Sequence, residues 1–213
     1  MATPPALLEA QTRVNRKVQK AATRAALLQV AVDLLIEKGV AGVTTLEVQI
    51  RAGVSRGALL HHFPSRSDLL SATVTELVGR NEAALWREQA RQPVSDEPVA
   101  SAIRTLARTA STSSYVAEME LWTVSRTDPV LRETLRSAER RALPERERVL
   151  DALFESLRDH PARAQVIDLT TEFARGLALS NLLRDDPRTG HALVESWIGT
   201  VGLIIAATKS VAG

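Results

Sequence analysis

An arginine, a glycine and an alanine in sequence, with a histidine three residues on, can read the edge of a nucleic-acid base. They occur in Gly53-Val54-Ser55-Arg56-Gly57-Ala58-Leu59-Leu60-His61-His62-Phe63. An arginine there can donate two hydrogen bonds to guanine O6 and N7, worth roughly 1–3 kcal/mol of discrimination against other bases. Gly57 and Ala58 carry almost no side chain, so the backbone behind Arg56 can come close to a groove. His61 adds a second polar group, and Thr45, Leu60 and Arg66 fall where they would lie near a sugar-phosphate backbone. His62 is bracketed by Leu59 and Phe63, so it is expected to face inward. The two histidines diverge by ~100° on a helix and cannot share a metal ion without further ligands. No histidine at helical spacing supplies one, so neither a metal nor a cofactor is expected.

Two short helices and a tight corner are needed to hold those side chains. Thr44 or Thr45 can cap the first, because a threonine hydroxyl accepts from an unpaired N–H of the first turn. Glu47 suits the positive end of the helix dipole, and Val48 and Ala52, four apart, share a face. Gly53 stands where a helix ends through a left-handed residue. Val54 then fills the corner, Ser55 caps the next helix, and Leu59 and Phe63 face inward. The pattern predicts a helix-turn-helix, whose second helix enters the major groove. Thr23 to Lys38 reads as a preceding helix, with Leu27, Ala31, Leu34 and Leu35 as its apolar stripe and Gly39 as its stop.

The block Ala52-Gly53-Val54-Ser55-Arg56-Gly57, with Leu59, His62-Phe63, Arg66 and Leu69-Leu70, resembles the signature of the tetracycline-repressor (TetR) family of transcriptional regulators. Leu27-Leu28, Ala31, Leu34, Gly39 and Thr44 are similar to that family's first-helix pattern, and the resemblance spans about 24–72. Two positions depart from it. Gln49 stands where the family has a small alanine, and Leu60 replaces a tyrosine whose hydroxyl meets a DNA phosphate. The resemblance implies a homodimer on a palindromic operator in double-stranded DNA, most often a repressor released by a small-molecule effector that the sequence does not name.

The expected architecture is all-α: a flexible basic arm over 1–20, a three-helix DNA-binding domain over 21–66, and a larger helical effector-binding and dimerisation domain over 67–213. Arg13, Arg16, Lys17 and Lys20 make the arm basic. Residues 1–66 hold nine Lys/Arg against four Asp/Glu, while the rest holds 18 against 21. A basic N-terminal third on a mildly acidic body fits a nucleic-acid footprint. Ser65 and Asp68 form a capping box for a long helix reaching Gln92, and Gln92-Pro93-Val94-Ser95-Asp96-Glu97-Pro98 reads as a joint. Helices then follow over 99–109, 115–126 and from Pro129 to near His160, the last kinked or broken at Pro144. Two more follow over 162–183 and 189–209.

The middle helices carry the pocket candidates Arg104, Arg108, Tyr115, Met119, Trp122, Phe154 and Phe173. The spacing of Tyr115, Met119 and Trp122 fits plain core as well as a pocket wall. In the last two helices, Gly176, Gly199 and Gly202 cost about 1 kcal/mol each relative to alanine, which close helix contact would offset. The resemblance places the dimer interface there, at Phe173, Gly176, Leu177, Trp197, Val201 and Ile204.

The chain has no cysteine, which excludes disulfides and thiolate metal sites. It has no G-x-S-x-G, no glycine-rich phosphate loop and no carboxylate–histidine constellation, so an enzyme is not expected. The N-terminus lacks a signal-peptide pattern, and the longest apolar run, Trp197 to Ala207, is 11 residues. That is short of a bilayer span, so a cytoplasmic protein with no membrane partner is expected. Two alternatives remain at this level: a DNA-binding protein that needs no ligand, and a helical ligand carrier or enzyme that does not bind DNA.

Overall fold

A computed structural model describes the backbone of residues 5–91 and 95–211, and the side chains of 17–91 and 95–208. Every regular element among the described residues is helical. In order they are α1 (Pro5–Gly42), α2 (Thr45–Ala52), α3 (Arg56–His62), α4 (Arg66–Ala90), α5 (Pro98–Ala110), α6 (Ser113–Val124), α7 (Pro129–Leu153), a 3-10 turn (Glu155–Leu157), α8 (Arg163–Asn181) and α9 (Pro187–Val211). The chain divides into two compact units, residues 1–76 and 77–213.

In the first unit, α1 packs on α2 and α2 on α3. The interior is aliphatic: Leu27, Leu34, Leu35, Val43, Val48, Leu59, Phe63 and Leu69 are all at most 2% exposed. The arm expected to be flexible over 1–20 is instead helical from Pro5, continuous with α1. Its leucine, alanine and glutamine content supports helix throughout. The side chains of Arg13 and Arg16 lie outside the described residues. Gly39 ends the regular part of α1 with φ 66°, a left-handed conformation that a side chain would oppose.

The boundary between the units falls inside α4, about ten residues beyond the expected 66/67. The physical reason is the buried face of its first turns, where Leu69, Thr73 and Val74 are fully enclosed. The capping box forms as expected. Ser65 Oγ accepts from the Asp68 N–H at 3.1 Å, and Asp68 Oδ2 accepts from the Ser65 N–H at 3.1 Å.

In the second unit, α5 packs against α6, α7, α8 and α9. Ala102, Ile103, Leu106, Val149, Leu153, Phe154, Val166, Leu177, Val194 and Val201 form its core. Of the joint expected over 92–98, Gln92, Pro93 and Val94 lie outside the described residues. Asp128 caps α7, accepting from the Leu131 N–H at 2.9 Å. Of the kink or break expected at Pro144, the break does not occur: the helix runs on through it. Pro144 and Arg140 are both exposed, so the carbonyl that loses its helical donor faces water, and the missing bond costs less than it would in a core.

Candidate nucleic-acid interface and ligand cavity

Local chemistry builds the corner between α2 and α3. Thr44 Oγ1 accepts from the Glu47 N–H at 3.1 Å. Gly53 closes α2 at φ 65°, ψ 30°, and the Val54 N–H reaches back to the Gln49 carbonyl at 3.2 Å. Ser55 Oγ accepts from the Ala58 N–H at 3.2 Å and starts α3. Two ion pairs tie α2 to α1. Arg51 clasps both Glu37 oxygens at 2.5 and 2.6 Å, and its hydrogen bonds hold the Glu37 carboxyl below its usual range. Lys38 meets Glu47 at 3.2 Å.

Arg56, Gly57 and His61 stand exposed on α3, while Ala58 and Leu60 on α3 and Thr45 on α2 are half-buried. Arg66 is exposed, but its guanidinium is engaged: Nε donates to the Val43 carbonyl at 3.1 Å and Nη2 to Val40 at 3.2 Å. It locks the turn before α2. His62 turns inward as expected. Its ring packs beside His61 with centroids 5.4 Å apart, and its Nδ1 is buried without a partner among the described residues. Burial, then the charge of His61 and of nearby Lys20 and Arg24, depresses its pKa. It is therefore neutral near pH 7. The Arg24 guanidinium lies 5.1 Å above the Phe63 ring and covers the inner side of α3.

In the second unit, the seven pocket candidates do not meet at one site. Tyr115 lines a cavity of about 50 Å³. Arg104 and Arg108 border a separate groove near α9, where Arg104 grips Glu195 through Nε and Nη2 at 2.8 and 2.7 Å. Trp122 stands at a third depression, 38% exposed. Met119 and Phe154 are core residues. Phe173 stacks on Trp197 with centroids 5.3 Å apart, and Trp197 donates to buried Thr170 at 3.1 Å. The seven come from α5, α6, the end of α7 and α8, and packing turns them towards separate depressions or into the core.

The cavity that holds Tyr115 is lined by charge that spacing arguments passed over. Asn81 and Glu82 come from α4, Glu118 from α6, Arg146 from α7 and Arg175 from α8, with Leu85, Leu106 and Leu150 beside them. Arg146 donates through Nε to Glu82 Oε1 at 2.6 Å and through Nη1 to Glu139 Oε2 at 2.8 Å. Burial works against its charge, but the two carboxylates outweigh this and hold it protonated. Asn81 donates to Glu118 Oε2 at 2.6 Å and accepts from Ser114 Oγ at 2.5 Å. Burial pushes the Glu118 carboxyl up to about 8, with Glu139 adding to the shift. Burial also raises Glu82 and the Tyr115 phenol. Arg175 pairs with Glu172 and lies 4.8 Å over the Trp122 ring. The signal was present in the sequence: Glu82 sits between Val78 and Leu85 on an apolar stripe, and Glu118 shares a face with Tyr115 and Trp122.

The expected dimer residues also separate by phase. Leu177 and Val201 are buried inside the unit at 5% and 0%, so they belong to its core. Trp197, Phe173 and Ile204 pack partly against that core. Gly176 is exposed, and a Cβ added at Gly176, Gly199 or Gly202 would meet nothing within 4 Å. Close contact inside the chain therefore does not explain these glycines. Leu169, Leu179 and Leu203 project from the same two helices and Leu183 from the turn between them, exposed by 41–91%. The stretch Pro187–Thr208 is 22 residues long and apolar enough by composition to cross a membrane, with 17% of its most apolar window buried. It exceeds the 11-residue run read from the sequence because scattered polar residues do not lower its mean below that of a span.

Residues 27–73 match the family model of the bacterial regulatory proteins of the tetR family. An HTH-type transcriptional regulator of Mycobacterium bovis is 36% identical over 129 residues, 60% of this chain, and the match spans 64% of that relative's length. The HTH-type transcriptional regulator CymR of Pseudomonas putida is 29% identical over 83% of this chain and 86% of its own. Among solved structures, the multidrug binding protein EbrR, complexed with proflavin, shares the fold with a TM-score of 0.54. It is 22% identical, over 82% of this chain and 97% of its own. The Gly53 corner and the presentation of α3 lie within the residues 27–73 that are similar to the tetR family of bacterial regulatory proteins.

Proposed function

We propose that this chain is a transcriptional regulator that binds double-stranded DNA as a homodimer, with α3 in the major groove of each half of a palindromic operator. The observation that carries the reading is the left-handed Gly53 corner, which leaves Arg56, Gly57 and His61 exposed on one short helix. Arg56 is the base-reading residue, while Arg66 acts by fixing the turn before α2. Arg56→Ala is expected to weaken operator binding about 10–100-fold, the loss of one bidentate base contact, without changing Tm. Fluorescence anisotropy with a labelled duplex measures this. An unchanged Kd would remove Arg56 from the interface.

In this reading α8 and α9 form the dimer interface through the outward face that carries Gly176, Gly199 and Leu203. Three interior glycines with open space above them allow a second pair of helices to approach closely. Leu203→Glu would bury a charge there. The expected result is a dissociation constant raised about 100-fold or more, read as a monomer by light scattering after gel filtration. A variant that stays dimeric at the same concentration would assign the interface elsewhere.

The cavity of the second unit is the effector site. EbrR, of the same fold, was solved in complex with proflavin, which supports small-molecule binding by a chain of this fold. Helix α4 is the covalent link: it carries buried Leu69 and Val74 in the first unit and Asn81, Glu82 and Leu85 on the cavity wall. An effector that favours the released state by about 2.7 kcal/mol would weaken DNA binding ~100-fold.

A further inference from the structure

Four acidic side chains, Glu82, Glu118, Glu139 and Glu172, surround the cavity or pair with its walls, against two guanidinium groups, Arg146 and Arg175. Arg146 already serves Glu82 and Glu139, and Arg175 is paired with Glu172. Glu82 is only 7% exposed, yet no donor among the described residues reaches its Oε2, and Glu139 Oε1 is likewise unserved. A buried carboxylate oxygen without a donor at the cavity wall, with a second on Glu139, the other partner of Arg146, is costly unless something supplies positive charge and N–H groups. The apolar side of the cavity is Leu85, Leu106, Ala110, Leu150 and Ala174. At about 50 Å³ the cavity has room for roughly three to five water molecules, so a bulky ring system does not fit it.

Resting on the effector-site reading above, we propose that the cavity binds a small organic cation bearing N–H donors, an alkylammonium or alkylguanidinium with an unbranched apolar body, whose head lies against Glu82 and Glu118. A quaternary ammonium would bring charge but no donor for Glu82 Oε2, so the site prefers a protonated amine. Binding has a second signature. The groups facing Glu118 are Asn81 and Glu82 from α4, Tyr115 from its own helix, Glu139 and Arg146 from α7 and Arg175 from α8, while α5 offers only Leu106, Thr109 and Ala110. Glu118 keeps its proton below about 8, and an incoming cation would displace it. Binding at pH 7 should therefore release up to about one proton, and affinity should rise with pH through that range.

The test uses the full chain and a matched panel: n-propyl-, n-butyl- and n-hexylammonium, the alcohols of the same length, and the corresponding carboxylates. The expected result is a rise in Tm of about 5–10 °C for an ammonium at ~100 times its Kd, and none for its alcohol or carboxylate mate. Glu82→Gln and, separately, Glu118→Gln should each weaken the ammonium about tenfold or more, the loss of one charge-assisted hydrogen bond. Calorimetry at pH 7 in buffers of different ionisation enthalpy should show the released proton. Alcohols or carboxylates that stabilise as well as ammonium ions would overturn the proposal and leave the effector site standing. No stabilisation by any member, with duplex binding intact, would overturn both. Ammonium binding that leaves duplex affinity unchanged would uphold the ligand class and remove the effector role.

Discussion

Replacing Arg146 by methionine is expected to destabilise the second unit by about 3–5 kcal/mol, because it strands two buried carboxylates. The guanidinium side chain is 16% exposed and lies between Glu82 and Glu139 at 8% and 19%. Methionine keeps the volume and the helix propensity of α7 but removes the guanidinium bonded to both acids. Each carboxylate would then have to take up a proton or water, with Glu118 close by and already raised. The loss should grow from pH 5 to pH 8, since the stranded acids are easier to keep neutral at low pH. Adding Glu82→Gln to Arg146→Met should recover part of the stability, because it removes one stranded charge. Urea unfolding followed by tryptophan fluorescence measures this cleanly, since Trp86, Trp122 and Trp197 all lie in the second unit. A change below about 1 kcal/mol would mean that the network around Arg146 is solvated and contributes no more than a surface pair.

Phe63→Ala should have an effect of similar size in the first unit, about 3–5 kcal/mol for a fully buried aromatic. Phe63 is 2% exposed and caps α3, its N–H donating to the Leu59 carbonyl at 2.9 Å. Its ring supports Arg24 on the other side. Truncation would open a cavity beneath α3 and loosen the helix that carries Arg56. The expected outcome is a drop in helical circular dichroism at temperatures where tryptophan fluorescence remains native, together with loss of duplex binding. Duplex affinity within about twofold of the unsubstituted protein, and a Tm within about 1 °C, would show that α3 does not depend on this side chain.

What could be read from the chain alone was whatever is decided within a few residues. Thr44, Gly53, Ser55 and Asp68 act on backbone groups two to four positions away, so the corner and the helix starts were legible. The breaks at Pro98, Asp128-Pro129 and Pro187 are local for the same reason. Phase over a long helix was less so. Leu177 and Val201 were read as interface residues, yet they face the core, with Gly176, Gly199 and Leu203 beside them on the open side. The cavity was least legible, because its charged groups come from α4, α6, α7 and α8 and only packing brings them together. Glu82 and Glu118 interrupt apolar stripes, and that conflict between residue type and position was the usable signal. The boundary between the units shifted for a related reason: α4 is one uninterrupted helix, and only the burial of Leu69, Thr73 and Val74 assigns its first turns to the N-terminal unit.

Selection of genomic fragments by the purified protein tests the base-reading role of α3 most directly. At low salt, the enriched fragments should share an inverted repeat whose half-sites lie about one helical turn, ~34–36 Å, or a multiple of that apart. Their retention should fall steeply as salt is raised. Enrichment of fragments with no common half-site, or no retention of duplex at any salt concentration, would contradict it.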